Sequence, residues 1–367
     1  MGHNKKGYSR QKHRLAVINI LLSPAILALF ILLGIPTYIK DLASLASPNN
    51  YVNLLAFSAL MGALYYIVTL PLGYYSDFVV EHRYALSNQT LAAWIKKEAK
   101  KGLVSFVISV PLILSLYAFL RYYPMYWWLL MATLCFSVSI VVSKFAPILI
   151  VPLFYKYSPI KNKALKDRLV KLASRVGFRT EGVYEINISK DTKKANAAVL
   201  GLGRQKRIVL CDTLLENFSE DEIMSVMGHE LGHHKLRHTL KLILFGGAST
   251  LLIFFLANTA FIRLHGIVGY RLWYDFDSIV LIYAIISAVN ILVLPAHNAF
   301  SRRLEASADE FTLKITNDRQ SFIQTMKKLA DQNLADPEPG RFYEMMLYSH
   351  PPISRRVAFA EDFNREK

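Results

Sequence analysis

Residues 219–264 read SEDEIMSVMGHELGHHKLRHTLKLILFGGASTLLIFFLANTAFIRL. The first half is polar and the second half is apolar. Ser219, with Glu222 three residues later, has the spacing of a capping box, so a helix starts there. Apart from single glycines, no breaker follows before Gly246-Gly247. The stretch therefore predicts one helix running unbroken into an apolar segment at 240–264, long enough to cross a bilayer. His229 and His233 are four residues apart and so share one face of that helix.

Five further apolar runs lie at about 15–39, 52–76, 103–120, 126–151 and 278–299, each near the ~20 residues that a span needs. Pro24, Pro71 and Pro111 fall inside runs, where neighbouring helices re-satisfy the freed backbone. Hydrophobic residues make up 53% of the chain, which excludes a disordered chain and an ordinary soluble enzyme. Two cysteines, Cys135 and Cys211, cannot make a disulfide framework and are expected as free thiols.

Net charge is +16, from 43 Lys and Arg against 27 Asp and Glu. Many of the cations flank apolar runs, where they meet lipid headgroups rather than nucleic acid. Lys5, Lys6, Arg10, Lys12 and Arg14 precede the first run, and Arg83, Lys96, Lys97, Lys100 and Lys101 fill the second loop. The positive-inside rule places both of these segments, and both termini, in the cytoplasm. The expected organisation is a membrane region with four spans (1–151), a cytoplasmic catalytic part (152–239), two more spans (240–299) and a second cytoplasmic part (300–367). That membrane is the plasma or inner membrane of a prokaryote, or the endoplasmic reticulum of a eukaryote.

The cytoplasmic parts read as α+β. Residues 165–177 form an amphipathic helix, with Leu165, Leu169 and Leu172 on one face. Val183–Ile188, Ala195–Leu200 and Arg207–Cys211 read as strands, the second closed by Gly201 and Gly203.

His229-Glu230-Leu231-Gly232-His233 carries the chemistry. Two imidazoles on one helix face can hold one zinc ion, while Glu230 projects beside it to act as general base. A catalytic zinc needs a third protein ligand. Glu305 and Asp309 are also four residues apart, just past the last span. Glu305 is the candidate ligand, and Asp309 the acceptor that orients a ligand imidazole. His234 and His238 read as solvated or facing headgroups.

These motifs resemble the integral-membrane gluzincin metallopeptidases, and more closely their type I CAAX prenyl protease branch. The likeness rests on His229–His238, on Arg302–Phe311, on Asn196-Ala197-Ala198, on Lys206–Glu216 and on His350-Pro351-Pro352-Ile353-Ser354-Arg355-Arg356. Residues 78–82 and 88–91 resemble the prenyl-protease N-terminal region. The chain departs from eukaryotic members in having six spans rather than seven, and in Ala198-Val199 where they carry an aromatic pair.

The resemblance implies a mainly α, polytopic membrane protein with a cytoplasmic gluzincin-like domain. It implies one zinc held by His229, His233 and Glu305, with Glu230 as base. It implies that Asn196, Ala197 and their strand bind an extended peptide by backbone pairing. It further implies that His350 and Arg356 stabilise the oxyanion or hold the substrate. The substrate is then a peptide or protein, prenylated or membrane-associated. The alternative is an HtpX-like protease that degrades damaged membrane proteins. A non-catalytic membrane scaffold is disfavoured, because His229, Glu230, His233 and Glu305 are all intact.

Overall fold

The computed structural model describes residues 5–200 and 206–363. The chain opens with α1 (Lys5–Leu32) and a short α2 (Ile35–Ser44). Three long helices follow, α3 (Asn50–Arg83), α4 (Leu91–Tyr122) and α5 (Trp127–Phe154). A small mixed unit comes next, in the order β1 (Tyr157–Pro159), α6 (Lys163–Arg175), β2 (Gly182–Ile186), β3 (Ala197–Leu200), β4 (Arg207–Cys211), α7 (Asp212–Asn217) and α8 (Glu220–Lys235). The chain then returns through α9 (His238–Val268) and α10 (Phe276–Thr316), and ends in α11 (Arg319–Gln332), α12 (Arg341–Leu347) and α13 (Ile353–Asp362).

Six helices, α1, α3, α4, α5, α9 and α10, are long and apolar enough to cross a membrane. They match the six expected runs, with one correction. The run at 15–39 is not one helix: α1 stops at Leu32, and Gly34 takes φ 68°, a left-handed turn that favours glycine. Pro36 then sits in the first turn of α2, where its missing N–H costs nothing. Pro71 is followed in α3 by a π turn at Tyr75–Val79, and α5 has another at Ala146–Ile150 that contains Pro147. Proline loosens the i→i−4 ladder, and a π turn is one way to absorb that.

Phe57, Leu120, Trp127 and Phe261 belong to one buried core shared by the spans. Leu32, Ile67, Val107 and Leu292 point outward and are well exposed, as helix faces toward lipid should be. A second core, including Leu169, Ile208, Leu210, Met227 and Leu231, lies in the mixed unit.

The sheet has the order β1-β2-β4-β3, with β2 and β4 parallel and the outer pairs antiparallel. β3 is an edge strand, with Ala197 opposite Leu210. The expected strands at Val183–Ile188 and Ala195–Leu200 are each shorter, ending at Ile186 and starting at Ala197, and β1 was not anticipated. Gly201 and Gly203 lie outside the described residues. Cys135 and Cys211 are free thiols.

The unbroken helix expected from 219 into the fifth span is corrected too. The capping box at Ser219 and Glu222 is present, but α8 ends at Lys235. Arg237 adopts φ 56°, and α9 starts afresh at His238. By contrast α10 runs 41 residues without a break, so Glu305 and Asp309 stand on the same rigid rod as the sixth span.

Two glycines set how α8 and α10 pack. A Cβ on Gly228 would lie 3.0 Å from Thr312 Cγ2, and one on Gly232 would lie 3.1 Å from Phe311 Cδ1 and 3.3 Å from the Ala308 backbone. Ala308 and Thr312 are fully buried at this contact. Each glycine immediately precedes a histidine, so the closest approach of the helices falls where the imidazoles project.

Candidate active site

Four groups from three segments meet at that contact. His229 Nε2 lies 3.0 Å from Glu305 Oε2, His233 Nε2 lies 3.4 Å from Glu305 Oε1, and the two imidazole Nε2 atoms are 3.1 Å apart. His350, in the loop between α12 and α13, brings its Nε2 to 3.3 Å from Glu305 Oε2. Donor atoms of His229, Glu305 and His350 all fall within 4.8 Å of one another. The loop is fastened to α10, since Arg302 donates to the carbonyls of Glu344 and Tyr348.

The donor set suits a metal. Glu305 is buried, and its carboxylate faces the Nε2 atoms of His229 and His233 at 3.0 Å and 3.4 Å. Donor atoms that converge in this way can share one ion. Two imidazoles and a carboxylate are a zinc-type set.

His229 is held from behind. Its Nδ1 is 2.9 Å from Asp309 Oδ1. Asp309 is almost fully buried and accepts twice from Arg356, from Nε at 2.8 Å and from Nη2 at 2.6 Å. Arg356 is buried, its Nη2 also lies 3.4 Å from His229 Nδ1, and it lines the same cleft as Glu230 and His350.

His238 needs a correction. Instead of facing headgroups, it is 0% exposed, with Nδ1 3.0 Å from His233 Nδ1. The left-handed turn at Arg237 folds it under the zinc-type set. His234 is half-buried, with its Nε2 3.0 Å from Lys206 Nζ.

Glu230 is half-buried at the wall of a cleft of about 210 Å³, which is also lined by Asn196, Ala197, His229 and His350. Burial raises its carboxyl above the usual carboxylate range, against the pull of His229 and His233. A base tuned upward is suited to work near neutral pH. Asn196 is exposed, and its own side-chain oxygen accepts from Ala197 N at 2.9 Å. Its carbonyl accepts from Cys211 N, so pairing with β4 leaves the far edge of β3 toward the cleft.

Residues 159–364 match the model of peptidase family M48. The chain belongs to peptidase family M48. Residues 3–156 match the CAAX prenyl protease N-terminal region, described as five membrane helices. The uncharacterized metalloprotease YhfN of Bacillus subtilis is 29% identical over 362 residues, covering 96% of this chain and 84% of that one. A CAAX prenyl protease 1 homolog of rice is 30% identical over 336 residues, covering 89% and 77%. The crystal structure of S. mikatae Ste24p superposes with TM-score 0.86 at 26% identity, covering 98% of this chain and 89% of that one. The protein is an integral-membrane metallopeptidase of the CAAX protease branch, and the HtpX-like alternative is not favoured.

Sequence reading missed Gly228, Gly232, His238 and Ser307. The glycines carried a visible signal, since they repeat at i, i+4 one residue ahead of each histidine. His238 carried none, because the turn that buries it is set by tertiary contact.

His229 supports a test by pH. Burial alone would lower its pKa, but Asp309 and Glu305 outweigh that and raise it from the ordinary 6.5 to about 9. The metal-free imidazole is therefore protonated at neutral pH, and a metal must displace that proton. The pairing stabilises the metal-free protein fully below about pH 6.5 and is lost as pH rises through about 9. Titration calorimetry at pH 7, in buffers of different ionisation enthalpy, should show roughly one proton released per metal bound. No release would remove His229 from the ligand set.

Proposed function

We propose that this chain is a zinc endopeptidase that cuts prenylated, CAAX-type peptides at the cytoplasmic face of its membrane. One observation carries the reading most. The donor atoms of His229, His233 and Glu305 converge beside the free edge of β3, on helices continuous with or adjoining two spans. A substrate tethered by an apolar tail fits that placement, and the rice relative's name supports prenylated CAAX substrates.

His229, His233 and Glu305 would hold the zinc. Zinc, when bound, supplies Lewis acidity toward a water and the scissile carbonyl. Glu230 takes the proton of the attacking water and delivers it to the leaving amine. The substrate backbone pairs with β3 at Asn196 and Ala197, which fixes the scissile bond over the cleft. His350 donates to the carbonyl oxygen as negative charge develops there. Asp309 and Arg356 keep His229 in the tautomer that presents Nε2 to the zinc. The organisation into 1–151, 152–239, 240–299 and 300–367 joins two cytoplasmic catalytic parts through the last two spans.

Purified protein should cleave a prenylated CAAX peptide, and a chelator should abolish the cleavage. Glu230→Gln should retain about one zinc per chain while losing activity by about 10²-fold or more. Cleavage of only an unmodified membrane protein would contradict the substrate assignment. Loss of zinc in Glu230→Gln would contradict the role of Glu230.

The side of the membrane is tested separately. A cysteine introduced at Asn217 should react with an impermeant reagent only after cells are permeabilised. Labelling in intact cells would overturn the cytoplasmic placement.

A further inference from the structure

We infer that His238 and Ser307 form a positioning relay for His233, the second ligand of the site, and that this relay sets metal affinity. The inference rests on His233 being a ligand, as proposed above. It adds two residues to which no role has so far been given.

The relay follows from hydrogen-bond directions. Leu304 O is a carbonyl and can only accept. Ser307 Oγ lies 2.8 Å from it and donates there. A hydroxyl has one proton, so at its second contact Ser307 Oγ accepts. That contact is His238 Nε2, at 3.1 Å. His238 therefore carries its proton on Nε2, and its Nδ1 is an acceptor. His238 Nδ1 faces His233 Nδ1 at 3.0 Å. His233 then holds its proton on Nδ1, and Nε2 presents a lone pair toward Glu305 and His229. These tautomers are assigned from partners: this direction keeps both Ser307 contacts and the His238–His233 contact, and leaves the His233 Nε2 lone pair facing Glu305 Oε1, an arrangement that suits a shared cation.

With the reverse polarity Ser307 would give up Leu304 O. His233 would then carry a proton on Nε2, and that nitrogen could not ligate. The two ligand histidines are therefore held by unlike devices. A buried carboxylate and an arginine hold His229, whereas His233 leans on a neutral imidazole and a hydroxyl. The second relay ends on the backbone of α10 at Leu304, next to Glu305. It thus ties the third ligand's helix to the second ligand's ring. The His233 and His238 rings cross at 74° with centroids 5.0 Å apart, which aims the two Nδ1 atoms at each other rather than stacking the faces.

Removing such an outer partner typically costs 10–100-fold in metal affinity. The experiment is zinc competition against a chromophoric chelator in detergent, on purified full-length protein. His238→Phe keeps the ring's bulk and removes the acceptor, so zinc affinity should fall by about 10-fold or more. His238→Asn places an amide oxygen near the Nδ1 position and should bind zinc more tightly than His238→Phe. Ser307→Ala loosens the far end only and should give a smaller loss of the same sign.

Wild-type affinity in His238→Phe would overturn the relay, as would equal losses in the Asn and Phe variants. If His238→Phe shows no cooperative thermal transition, Ser307→Ala decides, and unchanged affinity there overturns the inference. His233→Ala, measured alongside, separates the two levels. If it also binds zinc normally, the ligand assignment itself falls; if it loses zinc while His238→Phe does not, only the relay falls.

Discussion

The close contact between α8 and α10 is the constraint on which the rest depends. Gly228 and Gly232 present backbone where other residues would present side chains, and Ala308 and Thr312 fill the opposing face. A Cβ at either glycine would fall inside ordinary contact distance. Because the histidines each follow a glycine by one residue, this approach also fixes their separation from Glu305. Packing and ligand geometry are therefore a single problem: two helices with larger interface residues could not place a carboxylate 3.0 Å and 3.4 Å from two imidazoles on the neighbouring rod.

The continuity of α10 gives this contact its membrane consequence. One helix crosses the apolar region and then carries Glu305, Ser307 and Asp309 with no intervening loop. The break at Arg237 does the opposite for α8 and α9, letting His238 fold beneath His233. The resulting site stands on rigid elements next to the spans, with β3 offering its edge beside it. Arg356 closes the assembly from the C-terminal end. Its pair with Asp309 is buried on both sides, and breaking such a pair typically costs about 3–5 kcal/mol because a lone charge is left behind.

Much of this was legible in the sequence. Long apolar runs cannot be satisfied in water, so the span count followed from their lengths. The i, i+4 histidines and the Glu305–Asp309 pair could be read because helical periodicity places them on common faces. The capping box at Ser219 located the start of α8 for the same local reason. What escaped was tertiary. No local rule marks Arg237 as left-handed, so the end of α8 and the burial of His238 were hidden. The Asp309–Arg356 pair was hidden because its members are 47 residues apart. Gly34 was a readable signal inside the first apolar run, masked by hydropathy that continues on both sides of it.

If the glycine-lined contact assembles the metal site, zinc affinity must separate Gly232→Ala from Gly246→Ala. An added Cβ at Gly246 has nothing within 4 Å, whereas at Gly232 it presses on Phe311 and Ala308. Overpacking of this kind costs about 1–3 kcal/mol, so Gly232→Ala should bind zinc roughly 5-fold or more weakly while Gly246→Ala matches wild type. Equal zinc affinity in the two variants would contradict the claim.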